Sequence, residues 1–346
     1  MQFFRRLPVK LSMEKRRFLW AVLLFLCVIL PTRAQWDVSY SHYWATRSYI
    51  NPSFAGEKEA IRATALYRYP WSGIEQAPQY FLIAADMPFE FLGRRHGVGV
   101  AAHTERVGSL RNSLLTAQYS FKKEIGDGFL NVGLQAGVHD LKFNAGNRQF
   151  VADSLSLSHG KFQVASTDKK LFDLGAGISW TSPSLFIGFS NLHINHPRFP
   201  VLNPEILSEN PDAPPLLPIE PTDSLRSSVP RSYNFMAGYN IRLFRSLELQ
   251  PMVWLQNSSD DTRAQVTLRF VYDKKFSGGA SWRKDHGWVL FAGTTLKGVE
   301  WGYAYDLYTK GFGKSSKGSH EMYLRYEFPV DYFKPKRQPH KSIRLL

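Results

Sequence analysis

The chain has 346 residues, 44% of them hydrophobic and 14% aromatic, with a formal net charge of +14. That aromatic content excludes a disordered chain, because such chains are poor in aromatics. One cysteine, Cys27, is too few for a disulfide framework or a thiolate metal site.

Residues 1–34 read as a signal peptide. Arg5, Arg6, Lys10, Lys15, Arg16 and Arg17 precede an apolar run from Phe18 to Leu30, and Ala34 offers a small residue before Gln35. The run has 13 residues, whereas a spanning helix needs roughly 20. Cleavage after Ala34 removes seven basic residues and one acidic one, leaving a mature charge of +8 and no cysteine. The mature chain has no clustered basic run except the tail residues Lys334, Lys336, Arg337, Lys341 and Arg344, so no nucleic-acid partner is expected.

After residue 34 the pattern is period-2 alternation. In Arg263–Tyr272 one face reads Ala, Val, Leu, Phe, Tyr and the other Arg, Gln, Thr, Arg, Val. In Tyr233–Leu243 the apolar face is Tyr233, Phe235, Ala237, Tyr239, Ile241 and Leu243. Alternation over ten residues predicts strands of membrane-spanning length, about 9–11 residues, against about 5–6 in soluble sheets. Fourteen such segments follow: 59–70, 79–87, 97–106, 111–124, 128–142, 170–181, 184–192, 231–244, 246–257, 262–273, 275–284, 287–296, 298–308 and 319–328.

The connections sort by length. Long ones at 143–169, 193–230 and 309–318 each follow an odd-numbered strand, and most even-numbered strands end in short turns. Outer-membrane barrels have short periplasmic turns, longer extracellular loops and an even strand count. The predicted fold is therefore all-β: a transmembrane outer-membrane β-barrel of about 14 antiparallel strands. A soluble sandwich or propeller would show the same alternation but has no reason to put every long loop at one end. Residues 35–58 form an N-terminal periplasmic segment or plug, 59–328 the barrel, and 329–346 a basic C-terminal tail. Residues 197–230 carry nine of the 20 prolines, so 193–230 reads as a Pro-rich extracellular loop. Tyr67, Tyr69, Trp71, Phe89, Phe91, Trp180, Trp254, Trp282, Trp301 and Tyr308 lie near strand ends, where membrane barrels carry aromatic girdles. Asn112, Thr116, Gln118, Gln265 and Arg269 are expected to line a polar lumen.

Few constellations suggest chemistry. His103-Thr104-Glu105, His139-Asp140 and the pair His193/His196 lack the further ligands of a metal site, and no nucleophile–base pair stands out. No cofactor, metal or catalytic residue is expected. Gly97-Val98-Gly99, Gly175-Ala176-Gly177 and Gly278-Gly279 do not lead into helices, so they read as bends or close packing in a curved sheet.

Several strings carry a resemblance. Tyr49-Ile50-Asn51-Pro52-Ser53-Phe54-Ala55-Gly56 is followed by Tyr67-Arg68-Tyr69-Pro70-Trp71 and Asp86-Met87-Pro88. Near the C-terminus come Trp282-Arg283, then Trp301-Gly302-Tyr303-Ala304-Tyr305-Asp306, then Ser319-His320-Glu321-Met322. Together, over roughly residues 35–330, these resemble the PorP/SprF family, outer-membrane proteins of the type IX secretion and gliding systems of Bacteroidota. Ser53 stands where that family usually has Ala, and the 197–230 excursion is longer than its norm. The resemblance implies a non-enzymatic component of the cell outer membrane that docks periplasmic machine subunits (a lipoprotein ring or a peptidoglycan-binding lipoprotein) or assists export and attachment of a secreted cargo protein. Outer-membrane lipids are the other expected partner. The alternatives are a porin or transporter for small solutes or fatty acids, and a barrel hydrolase.

The segment from Gln35 to Gly56 holds six aromatics, too many for a free tail in water. It is expected to be ordered against the periplasmic end and to contribute to partner binding. The docking candidates are Trp36, Tyr43, Trp44, Tyr49, Asn51, Pro52, Phe54 and Gly56. A barrel plug is the competing reading of the same residues.

Overall fold

A computed structural model of the chain describes residues 37–108, 110–143, 167–199, 227–258 and 261–330. The expected signal peptide, Trp36, residues 200–226 of the proline-rich loop and residues 331–346 of the tail lie outside the described residues.

Fourteen antiparallel strands close into one barrel: β1 (Ala60–Tyr69), β2 (Gln79–Phe91), β3 (Arg94–Val107), β4 (Leu110–Ile125), β5 (Gly128–Phe143), β6 (Thr167–Thr181), β7 (Leu185–Leu192), β8 (Ser232–Tyr239), β9 (Leu247–Ser258), β10 (Thr262–Tyr272), β11 (Phe276–Arg283), β12 (Gly287–Leu296), β13 (Val299–Tyr308) and β14 (Ser319–Pro329). Neighbours in sequence pair in turn, and β1 pairs with β14 from Ala60↔Pro329 to Tyr69↔His320, which closes the ring. Closure leaves no sheet edge, the condition for strands in lipid, where unpaired backbone groups find no water.

All fourteen expected strands are present within a few residues, with two informative differences. The second was expected to end near Met87, but it runs on through Pro88 to Phe91, and β3 starts at Arg94. Leu92 and Gly93, at φ +50° and +67°, make the two-residue turn. The ladder to β1 ends at Asp86, so beyond it β2 has one partner, a position that tolerates proline. The eighth segment breaks at Asn240, leaving only Ile241–Arg242 of its expected end in a ladder.

Alternation sorts the side chains as expected. Val266, Leu268, Phe270 and Tyr272 of β10 are exposed on the outer face, while Arg263, Gln265 and Thr267 on the opposite face are buried. Of the expected lumen residues, Asn112, Thr116, Gln118 and Gln265 are buried and Arg269 is partly so. Trp254 corrects the girdle assignment. It shares the inward parity of Met252 and Gln256, is buried, and donates its indole N–H to Asn234. Trp282, Trp288 and Trp301 face outward and are exposed, as lipid-facing aromatics are.

The barrel has a short-turn end, with connections such as 92–93, 126–127 and 297–298, and a long-loop end, with 144–166, 193–231 and 309–318. Ala60 and Pro329, where the barrel begins and finishes, both lie at the short-turn end. Near the long-loop end, Arg198–Phe199 and Ser227–Ser228 form a separate two-residue ladder.

Candidate functional site

The inward side chains of a water-filled pore would be solvated. Here they are buried, because residues 37–56 run inside the barrel. The segment holds three single-turn helices, Tyr43–Thr46, Arg47–Ile50 and Pro52–Phe54. Asp37 touches His193, Gln256 and Arg263 at the long-loop end, and Gly56 touches Asp86 and Gly97 at the short-turn end. The segment therefore crosses the whole lumen, further than a seat at one mouth.

Two polar clusters hold it. In the first, the Glu321 carboxylate accepts the backbone N–H groups of Ser41 and His42, each at 2.7 Å, and lies 2.8 Å from the His42 ring. Arg68 reaches Glu321 at 3.0 Å and Asp306 at 2.5 Å, and Arg283 reaches Asp306 at 2.8 Å. The Ser41 hydroxyl donates to Asp306 and accepts from both guanidiniums. Gln265 donates to the Ser41 carbonyl and accepts from Arg283. Two cations meet two anions, and all four are buried. Buried charges persist only when paired and hydrogen-bonded, and removing one partner typically costs about 3–5 kcal/mol.

The second cluster seats the turn Asn51-Pro52-Ser53-Phe54-Ala55-Gly56. The Asn51 side chain accepts from the Ser53 N–H at 3.0 Å and from its hydroxyl at 2.7 Å, capping the turn that Pro52 opens. Its amide donates to the carbonyls of Ile178 and Phe189 on β6 and β7. Ser120 and Lys122 donate to the Ser53 carbonyl. Gly56, at φ +61°, donates to Asp86, which also binds Arg62 at 2.8 Å. The floor beneath is glycine. A Cβ on Gly133 would lie 2.2 Å from the Ser53 nitrogen, and one on Gly177 would lie 2.0 Å from the Asn51 side-chain oxygen. Gly97 likewise lies against Ala55 and Gly188 against Phe54. The Gly97 and Gly177 strings thus serve close packing, as the sequence suggests, but against the N-terminal segment.

Between the clusters the contacts are aromatic. Tyr40, Tyr43 and Phe54 are wholly buried. Tyr43 lies 5.3 Å from Trp254, and Trp44 lies 4.8 Å from Phe291. Arg47 stacks on Phe186 at 4.4 Å and pairs with Glu57 at 2.9 Å. Burial pushes the Glu57 carboxyl up, but the Arg47 and Arg62 guanidiniums outweigh it and hold it below its ordinary range.

Of the sequence-derived docking candidates, Tyr43, Trp44, Asn51, Pro52, Phe54 and Gly56 are buried inside the barrel and Tyr49 is half-buried. Trp36 lies outside the described residues. Lys58 and Glu59, which follow, are exposed at the short-turn end. No helix among the described residues is long and apolar enough to cross a membrane.

The family described as type IX secretion system membrane protein PorP/SprF matches residues 32–326. The chain belongs to that family. It is an outer-membrane component of the type IX secretion system, and membership implies association with the secretion machinery. No curated protein matches the chain. Among solved structures, the chain is similar to a Pseudomonas aeruginosa FadL homologue (10% identity, 82% of this chain, 94% of that one, TM-score 0.45). It is also similar to the Pseudomonas putida toluene transporter TodX (8%, 85% and 95%, 0.47) and to the translocator domain of the autotransporter NalP from Neisseria meningitidis (11%, 92% and 100%, 0.38).

The PorP/SprF strings now acquire a physical meaning in this chain. Tyr67–Trp71 supplies Arg68, Trp282-Arg283 supplies Arg283, Trp301–Asp306 supplies Asp306, and Ser319–Met322 supplies Glu321. All four converge on Ser41 and His42. The Asp86 string holds Gly56. Sequence reading located these strings, and alternation turned Gln265 toward the lumen, but it missed Ser41 and His42, which carry no local signal of their own.

Proposed function

We propose that this chain is a closed, non-conducting barrel that serves the type IX machinery as a structural docking component, presenting its short-turn end to periplasmic subunits. The observation that carries this reading is the burial of residues 37–56 along the full lumen, bound by two polar clusters at opposite ends. A solute porin needs a continuous aqueous path, and this segment occupies it. The orientation follows from loop length: short turns belong to the periplasmic side of outer-membrane barrels. The buried aromatics act by holding the segment, and the partner meets exposed residues of the same end, among them Lys58 and Glu59.

The partner proposed is a periplasmic lipoprotein of the machine, with handling of a secreted cargo protein as the second role the family suggests. The test joins a measurement on detergent-purified protein with one on cells. Planar bilayers should show no stable channel, and affinity capture from cross-linked cells should recover periplasmic machine subunits. Charge reversal at Lys58 and Glu59 should weaken the capture without altering the heat-modifiable gel shift of the barrel. A steady ohmic conductance from the wild-type protein would overturn the docking reading in favour of transport.

A further inference from the structure

We infer that the long-loop end of the lumen contains a binding site for one divalent transition-metal ion of the zinc type, built from His139, Asp173 and His193, with Asp37 of the N-terminal segment as its outer support. The three side chains come from β5, β6 and the residue after β7, which are adjacent in the barrel wall. Each offers one ligand atom, these atoms all lie within 4.8 Å of one another, and all three residues are buried. Two imidazoles and a carboxylate are a donor set that zinc accepts, with a fourth position for water.

The geometry supports the assignment. His193 Nδ1 lies 2.8 Å from Asp173 Oδ1. Ligand atoms on a tetrahedral zinc stand about 3.3 Å apart for bonds of about 2.0–2.1 Å, so this contact opens by about half an ångström to admit the ion. The His139 and His193 rings have centroids 5.5 Å apart, a spacing that lets two imidazoles reach a common ion. The other oxygen of Asp173 is fully buried and has no hydrogen-bond partner among the described residues.

Ligating histidines typically give their second nitrogen to a carboxylate or carbonyl-type oxygen, which fixes the ring. Both rings here do so. His193 Nε2 lies 3.1 Å from Asp37 Oδ1, and His139 Nδ1 lies 3.4 Å from Asn112 Oδ1. His193 is held there by a left-handed backbone, at φ +57°. Two carboxylates, Asp37 and Asp173, match the charge of a divalent cation. Without metal, His193 bridges the two carboxylates; with metal, Asp37 remains on the outer nitrogen, so the ion fastens the start of the lumen segment to the wall. His196, paired with His193 on sequence spacing, is not in the cluster.

Co2+ is the probe. The EDTA-treated barrel in detergent should take up one Co2+ per chain, with the visible absorption of a four-coordinate site, and Zn2+ should displace it. His139→Ala, Asp173→Asn and His193→Ala should each weaken binding by 100-fold or more. Asp37→Asn should weaken it by about 10–100-fold, and His196→Ala should leave it unchanged. Each variant is screened first for the heat-modifiable shift, so a misassembled barrel is recognised. The wild-type titration decides even if every ligand variant misassembles: a folded barrel that takes up no stoichiometric Co2+ or Zn2+ overturns the site. So does binding that survives all three ligand substitutions.

Discussion

Glu321 accepts the backbone N–H of His42 at 2.7 Å, joining a residue of the last strand to one 279 positions earlier. That contact ties the interior segment to the same strand that closes the barrel against β1. Filling the lumen and closing the ring are thus linked through one carboxylate.

Removing that carboxylate should free the segment. Glu321→Ala leaves two buried N–H groups and part of the Arg68 charge without an acceptor, at a cost of about 3–5 kcal/mol. Trypsin cleavage at Arg47, half-buried inside the barrel in the wild type, should appear, and bilayers should show channel openings. If Arg47 stays protected in a correctly assembled Glu321→Ala barrel, the cluster does not hold the segment.

The glycine floor should be intolerant of a methyl group. Gly133→Ala and Gly177→Ala place a Cβ at 2.2 and 2.0 Å from atoms of the Asn51–Ser53 turn. Overpacking of this kind typically costs about 1–3 kcal/mol. Gly278→Ala is the control, since its Cβ would meet only Phe291 O at 3.5 Å. The first two should lower the temperature of the heat-modifiable transition and the third should not; equal effects of all three would refute the seating.

Asn51→Ala should destabilise the turn more than a surface substitution does. It removes the acceptor of the Ser53 N–H and hydroxyl and the donor to Ile178 and Phe189. Buried groups left unsatisfied cost about 1–3 kcal/mol each. Hydrogen exchange at Ser53 should accelerate at least tenfold, and an unchanged rate would mean the cap is dispensable.

Acid should loosen the short-turn end of the segment. The Glu57 carboxyl is held below its ordinary value near 4.5 by Arg47 and Arg62. A depressed folded-state value contributes stability that is fully present above pH 4.5 and is lost as the pH falls through the folded value. Protection of residues 54–58 from exchange should be flat between pH 7 and 5 and should fall below about pH 4.5. Glu57→Gln should already be loosened at pH 7 and should respond less to acid. An identical acid response in that variant would assign the effect to another carboxylate.

The strands were legible because each faces two solvents of opposite character, lipid outside and a polar interior, so period 2 is written into nearly every segment. Trp254 shows the limit of that reading. Its position near a strand end suggested a girdle, yet parity along β9 turns it inward to Tyr43. A run of aromatics from Trp36 to Phe54 likewise required burial but could not say in what.

The sequence by itself determined the fourteen alternating strands, the sorting of loops by length, and the strings that place the chain in its family, because these depend on neighbours within one segment. Only the tertiary structure decided that residues 37–56 cross the lumen, that Arg68, Arg283, Asp306 and Glu321 meet at Ser41 and His42, and that Gly133 and Gly177 lie beneath Asn51 and Ser53. Those facts depend on contacts that reach as far as the 280 positions between Ser41 and Glu321, and they exist only once the ring closes and gives the inward faces a common centre.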